Sequence, residues 1–195
     1  MKNRLIFWLP WVGLVIFGIY SLSDTFLLSA QEVREGLPWF GVVFNFVLRM
    51  IPTILLLFSL GLFIEVLEEE YQIGHMKPRA KRLLFWTPRI ALLIFAFLVS
   101  LFALDVFGQG YGFWQTLGAL FMHLMPVWGF LIVVALAWRW EWVGALALTA
   151  WAVFYMVMAG GFLPSVYLMM AGLPFVLGLL FLLNWRYHAE LRLAA

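Results

Sequence analysis

The sequence contains no cysteine and few charged residues. Because cysteine is absent from all 195 residues, disulfides, thiolate metal sites and cysteine nucleophiles are excluded. Only 11% of the residues are charged, whereas 66% are hydrophobic and the mean hydropathy is +1.02. No long polar stretch interrupts the apolar blocks. This composition leaves no room for an extramembrane domain and indicates one integral membrane domain over residues 1–195.

Other absences argue against specific activities. No lysine lies within an apolar block, as a retinal Schiff base would need, and His123 is the one histidine within a block, whereas membrane haem b commonly uses two. We find no Ser-His-Asp set, no His-Glu-x-x-His motif and no phosphate-binding loop. We therefore expect no catalytic residue, no metal and no cofactor, and we predict that the protein is not an enzyme.

What the chain does contain is apolar blocks long enough to cross a bilayer. A bilayer core of about 30 Å needs roughly 20 apolar residues in a helix. Helices satisfy their own backbone hydrogen bonds in lipid, and no alternating strand pattern is present. The sequence predicts an all-α polytopic protein, whose first helix is retained rather than removed as a signal peptide. The predicted transmembrane helices are residues 5–24, 38–65, 83–106, 112–138, 141–160 and 163–185.

The distribution of lysine and arginine predicts the orientation of these helices. Basic residues precede span one, separate spans two and three, separate spans four and five, and follow span six, while the opposite side carries only Arg34. The positive-inside rule then places both termini in the cytoplasm and the protein in the inner (cytoplasmic) membrane. The same distribution explains the net charge of +2, so we expect the lipid bilayer as a partner and no nucleic acid.

The longest predicted cytoplasmic connection, residues 65–82, has an acidic start and a basic end. Glu68-Glu69-Glu70 lies near its start, and a Lys77–Arg82 segment with four basic residues closes it. These blocks either bind a partner or pair with each other. We favour an ordinary solvated loop over a docking site.

The first four spans show signs of an internal duplication. Phe7-Trp8-Leu9-Pro10 begins span one and Phe85-Trp86-Thr87-Pro88 begins span three. Span two contains Arg49-x-x-Pro52 and span four contains His123-x-x-Pro126. We predict a duplicated two-helix unit (spans 1–2 and 3–4), with residues 1–82 holding the first copy and residues 83–195 forming a four-span segment.

Four ionisable residues within or at the ends of these spans are candidate functional groups, because charge in a bilayer is costly. We predict that Asp24 pairs with Arg49 and that Asp105 pairs with His123, each within one helical hairpin. The Asp105–His123 pair would handle protons or cations if it were functional, since histidine titrates near neutral pH. We favour the alternative, in which both pairs fix helix register.

Two prolines and a tryptophan-rich turn are also assigned roles. Pro52 and Pro126 are predicted to kink their helices and to free a backbone carbonyl one turn back. The turn between spans four and five is predicted to be an interfacial anchor, and Asn184 to be an end marker. The anchor residues are Trp138, Arg139, Trp140, Glu141 and Trp142.

Residues 88–185 resemble an uncharacterised family of small prokaryotic multi-pass membrane proteins, a domain of unknown function. The segments that carry the resemblance are residues 100–107, His123-Leu-Met-Pro126, residues 137–144 and Phe181-Leu-Leu-Asn-Trp185. The resemblance implies that six residues belong to a recurring pattern, but it implies no activity. These are Asp105, His123, Pro126, Trp138, Glu141 and Asn184.

The favoured function from sequence is an accessory or scaffold subunit of a membrane complex. Short loops, few polar lining residues and an aromatic surface support it, as do glycines that permit close helix approach, namely Gly144, Gly160, Gly161, Gly172 and Gly178. The partner would be another membrane protein or a second copy of the chain. The alternative is a small transporter or channel that uses an Asp/His site in the outer half of the membrane.

Overall fold

The computed structural model describes the backbone of residues 4–158 and 167–192, and their regular elements are all helical. Side chains are described from residue 8 to 158 and from 167 to 191. The elements in chain order are α1 (Arg4–Arg34), α2 (Trp39–Ile73), α3 (Pro78–Leu101), a 3-10 segment (Phe102–Gly108), α4 (Phe113–His123), α5 (Met125–Ala137), α6 (Glu141–Met158), a π-helical segment (Leu168–Gly172), α7 (Leu173–Arg186) and α8 (His188–Arg192).

The predicted all-α multi-pass architecture is confirmed. Five of the described helical stretches are long and apolar enough to cross a membrane, and the bent pair α4 and α5 provides a sixth. The ends of spans five and six, at residues 159–160 and 163–166, lie outside the described residues. Span one was predicted too short, because α1 continues ten residues beyond Asp24 to Arg34.

Two glycine turns define the two ends of the helix bundle. Gly36, with φ of 80°, reverses the chain between α1 and α2, and Gly74, with φ of 77°, ends α2. Both conformations lie in the left-handed region that favours glycine. We call the corresponding ends of the bundle the Gly36 end and the Gly74 end. The Trp11 indole donates to Glu68 at 3.0 Å, so the first half of α1 lies near the Gly74 end.

Helix α7 lies at the centre of the core. It packs against α6, α3 and α2, and α3 also packs against α5. Leu177, Leu180 and Phe181 are fully buried because neighbouring helices cover α7 on several sides. In contrast, α1 packs mainly on α2, and α4 contributes no buried residue. The residues with the most interior packing therefore belong to α2, α3 and α5–α7.

Two prolines, Pro88 and Pro174, are compensated by side chains from neighbouring helices. Pro88 has no N–H, so the carbonyl of Leu84 loses its usual donor, and the Asn184 amide donates to that carbonyl at 2.7 Å. A second freed carbonyl, in the π-helical segment, accepts a hydrogen bond from a side chain of α6. Freed by Pro174, the carbonyl of Met170 accepts a hydrogen bond from the Trp151 indole at 3.0 Å. These contacts tie α3 to α7 and α6 to the π-helical segment.

The predicted fourth span is broken. α4 and α5 meet at an angle of 46°, and the break lies at Leu124, two residues before Pro126. Pro126 lies in the first turn of α5, where a missing N–H is tolerated, and it cannot continue the hydrogen bonding of α4. The kink predicted at Pro126 is therefore present. α2 runs continuously through Pro52, and a kink there stays a prediction.

Candidate functional site

Asp24 lies deep within α1 rather than at its end. The residue is ten positions before the end of the helix at Arg34, and Arg49 is ten positions after the start of α2 at Trp39. Since α1 and α2 are antiparallel, both residues lie about 15 Å from the Gly36 end at 1.5 Å per residue. The two side chains therefore belong to one level of the bundle.

The structure pairs Arg49 with Glu32, and the predicted Asp24–Arg49 ion pair was wrong. An Nη2 atom of Arg49 contacts Glu32 Oε1, and Asn45 donates to the same oxygen at 3.1 Å. The long arginine stem extends toward the Gly36 end, as expected for an arginine that snorkels toward an interface. Within the described part of the chain, Asp24 takes part in no ion pair.

Asp24 and Arg49 line a cavity of about 240 Å³ between α1, α2, α3 and the π-helical segment. We call this the α1–α2 cavity. Its polar lining lies toward the Gly36 end, while its lining toward the bundle centre is apolar. The polar residues are Tyr20, Ser21, Asp24, Thr25, Asn45, Arg49 and Thr53. The apolar residues include Phe17, Leu56, Phe95 and Met169.

Two buried polar atoms at the α1–α2 cavity have no hydrogen-bond partner among the described residues. These are the hydroxyl oxygen of Ser21, a residue that is 9% exposed, and Nη1 of Arg49. The neighbouring hydroxyls are occupied locally, because Thr25 donates to the Ser21 carbonyl and Thr53 to the Arg49 carbonyl. Unsatisfied buried polar atoms are uncommon and call for an explanation such as a bound molecule or water.

The second predicted pair, Asp105 with His123, is not formed. Asp105 lies in the 3-10 segment and is exposed, and His123, at the end of α4, is also exposed. His123 Nδ1 contacts the carbonyl of Ala119 at 2.9 Å, within its own helix. In place of the predicted partner, the His123 ring contacts its own helix, and Asp105 lies in a 3-10 segment rather than at the end of a regular helix.

A buried polar cluster that the sequence analysis missed lies toward the Gly74 end. Arg89 of α3 is fully buried, and its Nη1 atom donates to the Asn184 side-chain oxygen at 3.0 Å. The guanidinium also contacts the Phe85 carbonyl and lies 3.8 Å from a carboxylate oxygen of Glu141. The Phe85 ring centroid lies 4.0 Å from the guanidinium carbon, which is within the range of a cation–π interaction. We call Arg89, Glu141 and Asn184 the Arg89 cluster.

The Arg89 cluster corrects two sequence-based assignments. Glu141 is 5% exposed and ion-paired, so it is not part of an interfacial anchor, and fully buried Asn184 is not an end marker. Trp138, Trp140 and Trp142 are each about half exposed, and Arg139 lies over the Trp140 ring at 5.8 Å. The exposed tryptophans fit the predicted anchor, whose location at a membrane surface stays a prediction.

Two signals in the sequence pointed to the Arg89 cluster. Arg89 is a charged residue inside an apolar block, which makes it a functional or structural candidate by default. Asn184 is a polar residue within the final apolar block. Glu32 is harder to identify as an ion-pair partner from the sequence, because it lies beyond the predicted end of span one, in the predicted connection between spans one and two.

The charged connection after span two forms ion pairs within the chain. Lys77 Nζ lies 2.9 Å from Glu69, and Lys81 Nζ lies 2.7 Å from Glu190 of α8. The Glu69 carboxylate also accepts the backbone N–H of Lys77 at 2.8 Å. The side-chain contact between the Lys77 ammonium group and the Glu69 carboxylate raises the pKa of that ammonium group. Of the two alternatives raised by the sequence, mutual pairing therefore accounts for part of the charge.

The fold defines an all-α protein of the multi-pass membrane class. The chain belongs to the family described as Domain of unknown function (DUF7670), whose model matches residues 76–192. The match covers α3 to α8 and confirms the resemblance to an uncharacterised family over residues 88–185. No curated protein and no solved structure matches the chain. The α1–α2 cavity lies between the matched region and the α1–α2 hairpin that precedes it.

Proposed function

We propose that the protein is a non-catalytic accessory subunit of a complex in the cytoplasmic membrane of a prokaryote, with both termini in the cytoplasm. The observation that carries this proposal is the exposure of His123 on α4. One ring nitrogen of His123 contacts a carbonyl of its own helix, while the other belongs to a side chain that the chain itself does not cover. A polar group facing hydrocarbon is costly, so a second membrane protein that covers α4 would stabilise it.

The remaining surface of α4 supports the same proposal. α4 has 11 residues, contains no buried residue and is too short to cross a bilayer alone. Its exposed side chains include Trp114 and Phe121. Aromatic residues of this kind are enriched at protein interfaces. The Arg89 cluster also fits a non-catalytic role, because it contains ion-pair and amide contacts rather than a nucleophile beside a base.

Native mass spectrometry of the tagged protein, extracted from its own membrane into nanodiscs, tests the proposal. We expect a stoichiometric companion, either another membrane protein or a second copy of the chain. His123→Leu should reduce the companion's occupancy severalfold, whereas the adjacent exposed substitution Met122→Leu should not. A solitary monomer that retains native thermal stability would contradict the proposal.

A photo-cross-linking residue locates the interface independently. Placed at Phe121 on α4, benzoyl-phenylalanine should cross-link to the companion. The matched position is Ile16 on α1, which is similarly exposed at 62% against 59% for Phe121. Cross-links at Ile16 and none at Phe121 would assign the interface to α1 and overturn the role of α4.

A second candidate function is a small transporter, and the α1–α2 cavity favours it. The Asp/His site expected from the sequence does not supply a polar path, since its two described residues are exposed and form no ion pair with each other. The polar groups that the helices do bring together are those around Asp24 and Arg49. Flux of a small solute in proteoliposomes that is lost in Asp24→Asn and retained in Asp105→Asn would support transport. Flux unaffected by both substitutions would count against it.

A further inference from the structure

We propose that the α1–α2 cavity binds a compact organic cation: a lipophilic ammonium compound with one positive charge and an apolar body. This inference names a ligand class for the second candidate function, and binding by itself requires no transport. It does not depend on an accessory-subunit role, because no residue of α4 lines the cavity.

The charges around the cavity select a cation. Arg49 is neutralised by its ion pair with Glu32, so this pair contributes no net charge. Asp24 lines the same cavity and forms no ion pair with any residue that the structure describes. The cavity lining thus has one carboxylate, that of Asp24, without a cationic partner among the described residues. A ligand with a single positive charge balances it inside the membrane, where an uncompensated charge is costly.

The lining of the cavity selects an amphipathic body. The wall toward the bundle centre consists of apolar and aromatic side chains, among them Phe17, Leu56 and Phe95. Aromatic faces attract quaternary and protonated amines through their ring quadrupoles. The Asp24 and Asn45 side chains line the opposite, polar part. A ligand with a cationic head toward the Gly36 end and an apolar group toward the centre matches both walls.

The buried hydroxyl of Ser21 and the size of the cavity are further evidence for a small ligand. Ser21 Oγ is unpartnered among the described residues, although the residue is 9% exposed and lines the cavity. The volume of about 240 Å³ is slightly below the roughly 300–1,000 Å³ typical of drug-sized sites. The cavity therefore suits a single small aromatic amine rather than a two-chain phospholipid.

Equilibrium binding of radiolabelled benzyltrimethylammonium to the full chain in zwitterionic nanodiscs tests the proposal, with empty nanodiscs subtracted. We expect saturable binding that is displaced poorly by neopentylbenzene, which has the same shape and no charge, and poorly by phenylmethanesulfonate, an anion. This comparison uses the unmodified chain, so it is independent of whether any variant folds. Equal displacement by the neutral compound, or tighter binding of the anion, would overturn the proposal.

Substitutions assign the binding to the cavity. Asp24→Asn should weaken benzyltrimethylammonium binding about tenfold or more, because it removes a charge-assisted contact. Glu35→Gln, at an exposed acid of the α1–α2 turn, should leave binding unchanged. Ser21→Ala should weaken binding of benzylammonium, whose N–H groups can donate to the hydroxyl, whereas Ser23→Ala, at an exposed position of the same helix, should not. Undiminished binding in folded Asp24→Asn would overturn the assignment.

The binding experiment can succeed or fail independently of the tests for transport and for the accessory role. Specific binding without flux in proteoliposomes would support the cation site and count against transport. A companion protein together with no cation binding would support the accessory role and overturn the cation site.

Discussion

At the residue scale, single polar groups hold the helices of this protein in register. Asn184 is the clearest example, because its amide donates to the carbonyls of Leu84 and Leu180 at 2.7 and 2.9 Å, while its oxygen accepts from Arg89. One side chain thereby provides a donor to the α3 carbonyl that Pro88 frees, an acceptor to the charged Arg89 and a donor to a carbonyl of its own helix. Loss of such a group leaves several buried polar atoms unsatisfied, which is the costly case for hydrogen bonds.

We predict that Asn184→Ala lowers the free energy of unfolding by about 2–4 kcal/mol, since it removes one hydrogen bond from the buried Arg89 guanidinium and leaves the Leu84 carbonyl without its donor. The free-energy cost of Arg89→Met should be smaller in the Asn184→Ala background than in the native background, because the Arg89–Asn184 hydrogen bond is already absent there. The coupling between Arg89 and Asn184 is measured by unfolding four proteins in mixed micelles: the native chain, each single variant and the double variant. Arg186→Met, at an exposed arginine two residues along α7, is the control. Simple additivity would contradict the prediction.

Two glycines provide a second prediction at the residue scale. A Cβ atom at Gly144 would lie 2.8 Å from the Ala137 Cβ and 2.9 Å from the Phe181 ring, whereas a Cβ at Gly129 would meet nothing within 4 Å. Gly144→Ala should therefore destabilise the protein by about 1–3 kcal/mol through overpacking. Gly129→Ala should be neutral or stabilising by about 0.5–1 kcal/mol through helix propensity. Thermal unfolding of both variants measures these changes in stability. A Gly144→Ala variant as stable as Gly129→Ala would refute the packing argument.

At the element scale, helix breaks and neighbouring donors occur together. The π-helical segment precedes Pro174, and Trp151 of α6 donates to the carbonyl that this proline frees. The α4–α5 break lies beside Pro126. The first break is compensated from an adjacent helix and lies against the core, whereas the second lies beside an α4 that has no buried residue. A helix break beside a proline therefore leads to a packed π-helical segment at Pro174 and to the exposed helix α4 at Pro126.

The compensation at Pro174 predicts a coupling between two helices. Trp151→Phe should cost about 1 kcal/mol, because the ring is kept and the hydrogen bond to Met170 is lost. In a Pro174→Ala background the new backbone N–H is available to the Met170 carbonyl, so the same substitution should cost less. Chemical unfolding of the cycle tests this, with Trp142→Phe at a half-exposed tryptophan as the control. An identical cost in both backgrounds would show that Trp151 acts only through packing.

At the scale of the whole molecule, the two ends of the bundle differ in composition. The Gly74 end holds the charged α2–α3 connection, the tryptophan-rich turn and α8, and the Lys81–Glu190 ion pair joins two of these regions. The Gly36 end holds the α1–α2 turn, and the 3-10 segment leads to α4 from the far end of α3. From this asymmetry of basic residues the positive-inside rule predicts that the Gly74 end faces the cytoplasm.

The orientation is testable because the chain has no native cysteine. Single cysteines at Glu35 and Gln109 should react with a membrane-impermeant maleimide on intact cells, whereas cysteines at Gln72 and Arg139 should react only after lysis. All four positions are exposed, so reactivity reports the side of the membrane rather than burial. The reversed labelling pattern would place both termini outside the cytoplasm.

Some features of this protein follow from the sequence alone. The all-α multi-pass architecture follows from apolar blocks of bilayer length, because a helix is the only isolated segment that satisfies its backbone in lipid. The break near Pro126 follows from the missing proline N–H. The family assignment also follows from the sequence, because the matching segments lie in residues 76–192. The two-helix duplication rests on sequence patterns and stays a prediction.

Tertiary structure decided which polar groups meet. Both predicted ion pairs failed because pairing depends on helix rotation and on where each helix ends. α1 extends to Arg34 and brings Glu32 to Arg49, while the His123 ring contacts a carbonyl of its own helix instead of Asp105. Arg89, Glu141 and Asn184 are far apart in sequence, and only the packing of α3, α6 and α7 brings them together. Hydropathy fixes the number of helices, whereas side-chain packing between them determines the sites.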